Sequence, residues 1–569
     1  MRLRVSYQLF LLGFIVLAVY YNSLSAGFNS VDDSHIVAAY GMGAGKKFVD
    51  LFRPMGTYYY RPLIELSYYL DNRLWGMHPR FMHLENILLH LLNTILVFLV
   101  ARQVADAWSV KESSFALLSS LLFAVHPINT EPVVWIAGRT DPLACVFILS
   151  AIWCLQHCLI KDRIVYLLPS LAFFVLGLLT KEVAICFLFA ALLLTICWPG
   201  TVRQRRKVLI LLTCIILGSL MLLISLVIIR PSSSITAFFD GRDGGGLAAL
   251  QTSIVALGFY LKKLVFPLPL NFAIDYVSPF YILPGIAIIL LLPFCIRQQR
   301  FPAIMLVIGC VFLCPALLIA ERHVAWTPFA ERYLYLPSAF FCMGVVSVCP
   351  LIMEKLHCRQ WGNPFLLFIS CCATVISVQR TFVWHDNLTL YQDTVSKSPD
   401  YGATHLELGV ALLQKGRIAE GRKEIEVAEL LNKRPSLRNR IKESLMAVRL
   451  QECDNQGARD FFNKIYKKKE DADPEFLRLL NKADEGLLDN ATVITVRNGL
   501  YCDMIENYKI LYSKTQDPFN LYQAGILEFR CGNHFMARAN IQKALLEAPL
   551  ESHYRGAAVR WLEKLEAGQ

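Results

Sequence analysis

Apolar and polar residues come in blocks along this chain rather than mixing evenly. An apolar run from Tyr7 to about Leu24 follows Arg2 and Arg4, and similar runs recur near 84–105, 113–125, 141–160, 163–179, 183–199 and 207–229. Others lie at 248–268, 280–296, 301–320, 333–353 and 363–380. A helix needs about 20 apolar residues to cross the hydrocarbon of a bilayer, so these runs predict spanning helices, the shorter ones tilted or lined by protein. From about Asp386 onward Lys, Arg, Glu and Asp recur every few residues. The pattern therefore predicts an all-α chain with a multispanning membrane domain over 1–385 and a water-facing helical domain over 386–569.

Charge sets the expected orientation. With the N-terminus in the cytoplasm, the basic connectors at Arg102, at Lys161 and Arg163, and at Arg203, Arg205, Arg206 and Lys207 also fall inside, as the positive-inside rule requires. The segment 25–82 then lies outside and reads as a structured loop carrying both signs of charge. Lys262, Lys263, Pro267 and Pro269 interrupt the run at 248–268. Taking that run as an interfacial or re-entrant helix keeps Arg297 inside, leaving about eleven crossings and an outward C-terminal domain. A cleaved signal peptide is the rival reading of the first run, but no small-residue cleavage site follows promptly.

Composition agrees and narrows the possibilities. Of 569 residues 55% are hydrophobic and 18% charged, against about 25% charged in soluble proteins. The net charge of +11 is no nucleic-acid signal, because many of the basic residues flank apolar spans where they set topology and meet lipid headgroups. Most of the 17 cysteines lie inside apolar runs with no CxxC pair and no Cys/His zinc spacing, so neither a metal site nor disulfides are expected.

The unusual polar clusters share one predicted face. Asp32 and Asp33 follow the first helix; His126, Glu131, Arg139 and Asp141 follow the third; Lys181 and Glu182 follow the fifth; Glu331 and Arg332 precede the penultimate one. An ionisable group inside a bilayer costs about 3 kcal/mol unless it is paired or solvated, so several clusters on the outer boundary predict one polar cavity. Each cluster also has a plainer reading. Asp32-Asp33 suits a helix cap, Lys181-Glu182 a headgroup anchor, His126-Pro127 a helix end and Glu331-Arg332 a structural ion pair. A cavity of this kind suits transfer from a carrier lipid. Arg or Lys would hold the carrier phosphate as leaving group, and a carboxylate would take the proton of an acceptor hydroxyl. No P-loop and no GxGxxG after a strand is present, so no nucleotide and no cofactor are expected; a divalent metal is left open.

The stretches "VDDSH", "YRPLIELSYYLD", "FMHLENILLHLLN", "LLFAVHPINTEPVVWIAGRTDPLA", "LTKEVAI" and "FAERYLYLPS" occur in this order. Together they resemble the transmembrane-and-TPR-containing protein O-mannosyltransferases and their bacterial relatives, which are C-type (GT-C) glycosyltransferases. The likeness runs over most of residues 1–390. It implies a GT-C fold, a polyprenyl-phosphate sugar donor, mannose as the sugar of the named family, and an active site on the non-cytoplasmic side. By the same likeness Asp32 or Asp33 is the catalytic base, and Lys181 and Arg332 contact phosphate. His126, Glu131, Arg139, Asp141, Glu182 and Glu331 complete the substrate pocket. The tail is much shorter than in the animal members, which points to a bacterial inner membrane, or to the endoplasmic reticulum membrane in a eukaryote.

Two stretches of that tail follow the tetratricopeptide pattern: Leu408, Gly409, Leu412, Gly421, Ile425 and Ala428, then Ala524, Gly525, Ala537, Ile541, Ala544 and Pro549. Repeats of about 34 residues stack into a solenoid whose concave side takes peptides or proteins, so a protein or peptide acceptor is expected there; a helical cap without a partner is the plainer alternative. An envelope glycan is the alternative acceptor, and a polymerase or ligase of lipid-linked glycans is the nearest enzymatic rival; two other classes also compete, a transporter or flippase and a non-catalytic assembly scaffold with a docking domain. Mid-span charges are few and no inverted repeat is evident, which disfavours transport.

Overall fold

The computed structural model describes every residue except 1–3, 41–46, 54–59, 111–113, 200–202, 230–244, 298–300, 323–326, 433, 550–551 and 567–569, together with some side chains inside helices, that of Asp32 among them. Among the described residues the chain is helical throughout, apart from one isolated antiparallel bridge between Ile274 and Phe329. It forms two compact units, Met1–Ser398 and Pro399–Gln569.

The first unit contains α1 (Val5–Tyr20), α2 (Ser30–Tyr40), α3 (Pro62–Trp75), α4 (Pro79–Ala107), α5 (Phe115–Val125), α6 (Thr130–Val134), α7 (Thr140–Lys161), α8 (Leu167–Leu178) and α9 (Cys186–Cys197). It continues through α10 (Arg205–Ile229), α11 (Gly245–Val265), α12 (Ile282–Arg297), α13 (Phe301–Arg322), α14 (Tyr335–Lys355), α15 (Gly362–Val383) and α16 (Asn387–Lys397). Local chemistry sets several of these limits. Proline at the first position of α3 needs no N–H partner, and Gly76 at φ +61 closes that helix in the left-handed conformation that glycine adopts without strain.

Among the described residues seven helices are long and apolar enough to cross a membrane, and four shorter apolar helices accompany them. The segment expected as an interfacial or re-entrant helix, 248–268, is one of the seven: α11 is continuous to Val265, with Lys262 and Lys263 in its last turn and the prolines only beyond it. α11 and α12 approach closely at two glycines. A Cβ on Gly258 or Gly285 would overlap the backbone carbonyl of Tyr281 or Ile254, the small-residue contact that draws apolar helices together where no hydrophobic drive exists.

α4 is central: it packs against α1, α5, α6 and α7. Its apolar length carries an inward polar stripe, Asn86, His90, Asn93 and Thr94, all fully buried and spaced to lie on one helical face. Asp386 caps α16: its carboxylate accepts from the Thr389 N–H while the Thr389 hydroxyl accepts from the Asp386 N–H. Asp393 of this helix pairs with Arg380 of α15, so α16 falls with the first unit and the division comes after Ser398 rather than at 385.

The second unit holds α17 (Gly402–Gln414), α18 (Ile418–Leu431), α19 (Arg438–Gln451), α20 (Asn455–Ile465), α21 (Pro474–Asn490), α22 (Ile494–Thr515), α23 (Pro518–Arg530), α24 (His534–Glu547) and α25 (Arg555–Glu566). The two pattern-matching stretches fold as the helix pairs α17/α18 and α23/α24. They share one contact at the same offsets: a Cβ on Gly409 would lie 2.5 Å from Ile425 Cγ1 and 2.9 Å from the Gly421 carbonyl, and one on Gly525 would lie 2.6 Å from Ile541 Cγ1 and 3.0 Å from the Ala537 carbonyl. Glycine in a helix ordinarily gives up about 1 kcal/mol relative to alanine, whereas overpacking a contact this close costs about 1–3 kcal/mol. Gly409→Ala is therefore expected to destabilise α17/α18, seen as faster amide hydrogen exchange there in the full-length protein. Gly499→Ala, at a helical position with nothing within 4 Å, should slow exchange in α22 or leave it unchanged.

Candidate active site

Loop and helix-end residues of the first unit gather the sequence-predicted groups. Asp33 in α2 is fully buried. Its Oδ2 accepts the Asn29 N–H at 2.8 Å, capping its own helix, and its Oδ1 accepts the Ala137 N–H at 3.0 Å in the turn between α6 and α7. The cap reading thus describes Asp33, with the added tie across 104 residues. The neighbouring Asp32 side chain lies outside the described residues.

Three ion pairs form the heart of the arrangement. Arg332 Nη1 lies 2.8 Å from Glu131 Oε1, Lys181 Nζ 2.5 Å from Asp141 Oδ1, and Arg61 grips Glu182 with Nε at 3.0 Å and Nη2 at 2.6 Å. The ring of Tyr333 lies 5.1 Å from the Arg332 guanidinium and 5.8 Å from the Lys181 ammonium, bringing the first two pairs together. Trp135 covers the same guanidinium at 5.3 Å, and Thr327 Oγ1 accepts from it at 3.3 Å. Cation–π contacts hold a positive group in place while leaving its N–H donors available.

Burial sharpens the chemistry. It raises the Glu131 carboxyl to about 7 against the opposing pull of Arg332, because ionisation in a poorly solvated site is unfavourable. The Lys181 ammonium is depressed, first by burial and then by Arg61 and Arg332, with Asp141 opposing. One oxygen of each partner carboxylate, Glu131 Oε2 and Asp141 Oδ2, is buried without a hydrogen-bond partner. A buried acceptor left unmet costs about 1–3 kcal/mol, so both oxygens are places where a ligand donor would be favoured.

The remaining predicted residues sit nearby with other partners. Arg139 is almost wholly buried. Its Nη1 lies 2.6 Å from Asp71, its Nη2 3.0 Å from Glu85, and its Nε donates to Asn86 Oδ1 at 3.1 Å. Burial is the main reason the Asp71 carboxyl is raised to about 7, with Arg139 pulling the other way. His126 is held neutral by burial, its pKa lowered to about 4. Its Nε2–H donates to the Leu264 carbonyl at 3.1 Å and Nδ1 accepts the Ile128 N–H at 3.4 Å, so it ends α5 and ties it to α11. Glu331 pairs with Lys263 at 2.5 Å and accepts the Asn271 N–H at 3.0 Å; its partner is Lys263 of α11, not the adjacent Arg332.

Sequence reasoning did not assign a site role to Arg61, Asp71, Lys263, Trp135, Tyr333 or the stripe on α4. The stripe had a legible signal, since His83, Asn86, His90 and Asn93 recur at helical spacing within an apolar run. It reaches the site through Tyr335, whose hydroxyl donates to His90 Nδ1 at 2.7 Å and accepts from Asn93 at 3.2 Å. His90 Nε2–H donates in turn to the Ala124 carbonyl at 3.0 Å. Among the described residues no group of three or more His, Cys, Asp or Glu side chains is gathered as metal ligands would be.

Residues 62–229 match the family model described as dolichyl-phosphate-mannose-protein mannosyltransferase. Over 393 residues the chain is 25% identical to a protein O-mannosyl-transferase of Caenorhabditis elegans, covering 64% of this chain and 52% of that protein. It is 33% identical over 204 residues to the protein O-mannosyl-transferase Tmtc1 of Drosophila melanogaster, covering 34% and 23%. To protein O-mannosyl-transferase TMTC1 of Mus musculus it is 43% identical over 100 residues, 18% of this chain and 10% of that one. The matched region thus spans about half the nematode relative and less of the others. In sequence the chain resembles GT-C glycosyltransferases of the protein O-mannosyltransferase kind, and it carries the apolar helices of a multi-pass membrane protein.

Removing one member of a buried ion pair costs about 3–5 kcal/mol because the other charge is stranded. Asp71→Ala should therefore lower the thermal midpoint of the detergent-solubilised protein and its monodisperse yield. Glu354→Ala, which breaks an exposed pair with Arg359, should change neither.

Proposed function

We propose that the first unit is a membrane glycosyltransferase that moves a sugar, mannose by its likeness, from a polyprenyl-phosphate carrier to a protein hydroxyl on the non-cytoplasmic side. The observation that carries this reading is the pair of cations on one Tyr333 ring, each neutralised by a buried carboxylate that keeps one oxygen unmet. Such a set suits a ligand that joins an anion to a polyol. The carrier phosphate takes donors from Arg332 and Lys181 in exchange for Glu131 and Asp141, and the displaced carboxylates then accept hydrogen bonds from the sugar hydroxyls. Arg332 and Lys181 also stabilise the phosphate as the bond from the anomeric carbon to oxygen breaks, where charge on the leaving group grows.

Of the adjacent acids we assign the base to Asp32. Asp33 is buried with a backbone N–H on each oxygen, and those bonds occupy it with holding α2 and Ala137. Asp32 would take the proton of the acceptor hydroxyl as it attacks the sugar carbon. The helix pairs of the second unit support a role in positioning the acceptor protein, and the animal relatives favour the endoplasmic reticulum as the membrane.

The test is transfer from polyprenyl-phosphate mannose by the purified full-length protein. Asp32→Asn should abolish turnover while the folded yield stays normal, and Asp33→Asn should lower the yield. Full turnover in Asp32→Asn would remove the base assignment. Charge-assisted hydrogen bonds contribute about 1.5–3 kcal/mol each, so Arg332→Ala and Lys181→Ala should each reduce kcat/KM about ten- to a hundredfold.

A pH effect follows from Glu131. Its carboxyl is raised to about 7, so below that pH it is protonated and leaves Arg332 to the phosphate. Above that pH the carboxylate competes for Arg332. The donor KM should therefore rise as pH increases through about 7, and Glu131→Gln should flatten the profile. The same sign applies to folding: any stability from the raised carboxyl is present at low pH and lost as pH climbs through about 7.

A further inference from the structure

We propose that Asn490 is an acceptor for an N-linked oligosaccharide. The sequence carries the Asn-X-Thr pattern twice, at Asn490-Ala491-Thr492 and at Asn387-Leu388-Thr389, and the fold treats them differently. Asn490 is the last residue of α21 and is exposed; Thr492 follows in the extended link to α22 and is exposed too. Apart from Ala491, every residue from Asp489 to Gly499 is exposed. Among the described residues Asn490 Nδ2 donates to the Gly486 carbonyl at 3.1 Å, one turn back, in the last turn of the helix. Such an end frays readily, freeing the amide.

The second pattern offers no such access. Asn387 is the first residue of α16, directly after α15, a helix long and apolar enough to span, ends at Val383. The Thr389 hydroxyl is spent on the helix start, lying 3.1 Å from the Val383 carbonyl and 3.0 Å from the Asp386 carbonyl and accepting the Asp386 N–H at 3.4 Å.

A second observation concerns the link beside Asn490. Val493, Ile494 and Val496 are 55%, 73% and 53% exposed, three branched apolar side chains within four residues of one another on a charged, water-facing unit. An oligosaccharide one turn of chain away would shield them. Acceptor patterns of this kind are used on surface loops of proteins in the secretory route.

The ligand is chemically a lipid-pyrophosphate-linked oligosaccharide. The bond from Asn490 Nδ2 to the anomeric carbon forms as the bond from that carbon to the pyrophosphate oxygen breaks. The amide loses one proton to a carboxylate base of the transferring enzyme, and the lipid pyrophosphate leaves with the electron pair. The inference rests on the outward placement of the second unit expected from the charge pattern and on the non-cytoplasmic reaction proposed above.

The full-length protein is translated into endoplasmic reticulum microsomes with a second Asn-Gly-Thr acceptor appended after Gln569. Two modifications are expected, each a mobility step reversed by peptide-N-glycosidase. Asn490→Gln and Thr492→Ala should each remove one step, and Asn387→Gln should remove none. Modification of the appended acceptor alone would overturn the Asn490 assignment while leaving the outward placement standing. Modification of neither, with the tail digested by protease added outside the microsomes, would overturn the placement and this assignment together. Transfer of mannose by the first unit is measured separately and is unaffected by Asn490→Gln under either result.

Discussion

A guanidinium cannot shed its proton, and Arg139 has almost no contact with solvent. It is tolerable only because Asp71, Glu85 and Asn86 face it from two helices. Arg139 stands in the chain between Glu131 and Asp141, the two carboxylates opposite Arg332 and Lys181. Binding it to α3 and α4 fixes the short turns on either side, and Asp33 adds a second tie at Ala137. That pair of ties sets how α6, which carries Glu131, and the first turn of α7, which carries Asp141, face one another.

α4 provides the other half of the support. A polar stripe inside an apolar helix is unfavourable unless each group finds a partner. Here His90 and Asn93 meet Tyr335, Asn93 also meets the Pro142 carbonyl at 2.8 Å, and Asn86 meets the Trp135 carbonyl at 2.9 Å. These bonds join the first turn of α14, which follows directly on Arg332 and Tyr333, to the turn that carries Trp135. Buried networks of this kind fix one arrangement of helices more sharply than apolar contact does.

The apolar runs made the helices and the two-part organisation readable, and the shared expected side of the polar clusters led to a common centre. Arg332 with Glu131 and Lys181 with Asp141 are cross-links between those clusters. Partner choice was less legible. Glu331 stands next to Arg332 in sequence, yet a short helical turn sends the two side chains different ways, and Glu331 meets Lys263, 68 residues distant. Local pattern read two lysines as an interruption of α11; they sit in its final turn, so the apolar length before them remains intact and the helix is continuous to Val265. In the tail the repeated offsets were visible because a glycine contact tolerates so few substitutes that it leaves the same mark in both pairs.

Each cation of the centre carries its own built-in rival for an incoming anion. On the proposed reading this bears on turnover. A carrier that has lost its sugar leaves a more highly charged phosphate, which would cling to bare cations and stall the site. Glu131 and Asp141 remain beside Arg332 and Lys181 throughout, ready to reclaim them, so letting go of the spent lipid is prepared by the same carboxylates that yielded to it on entry.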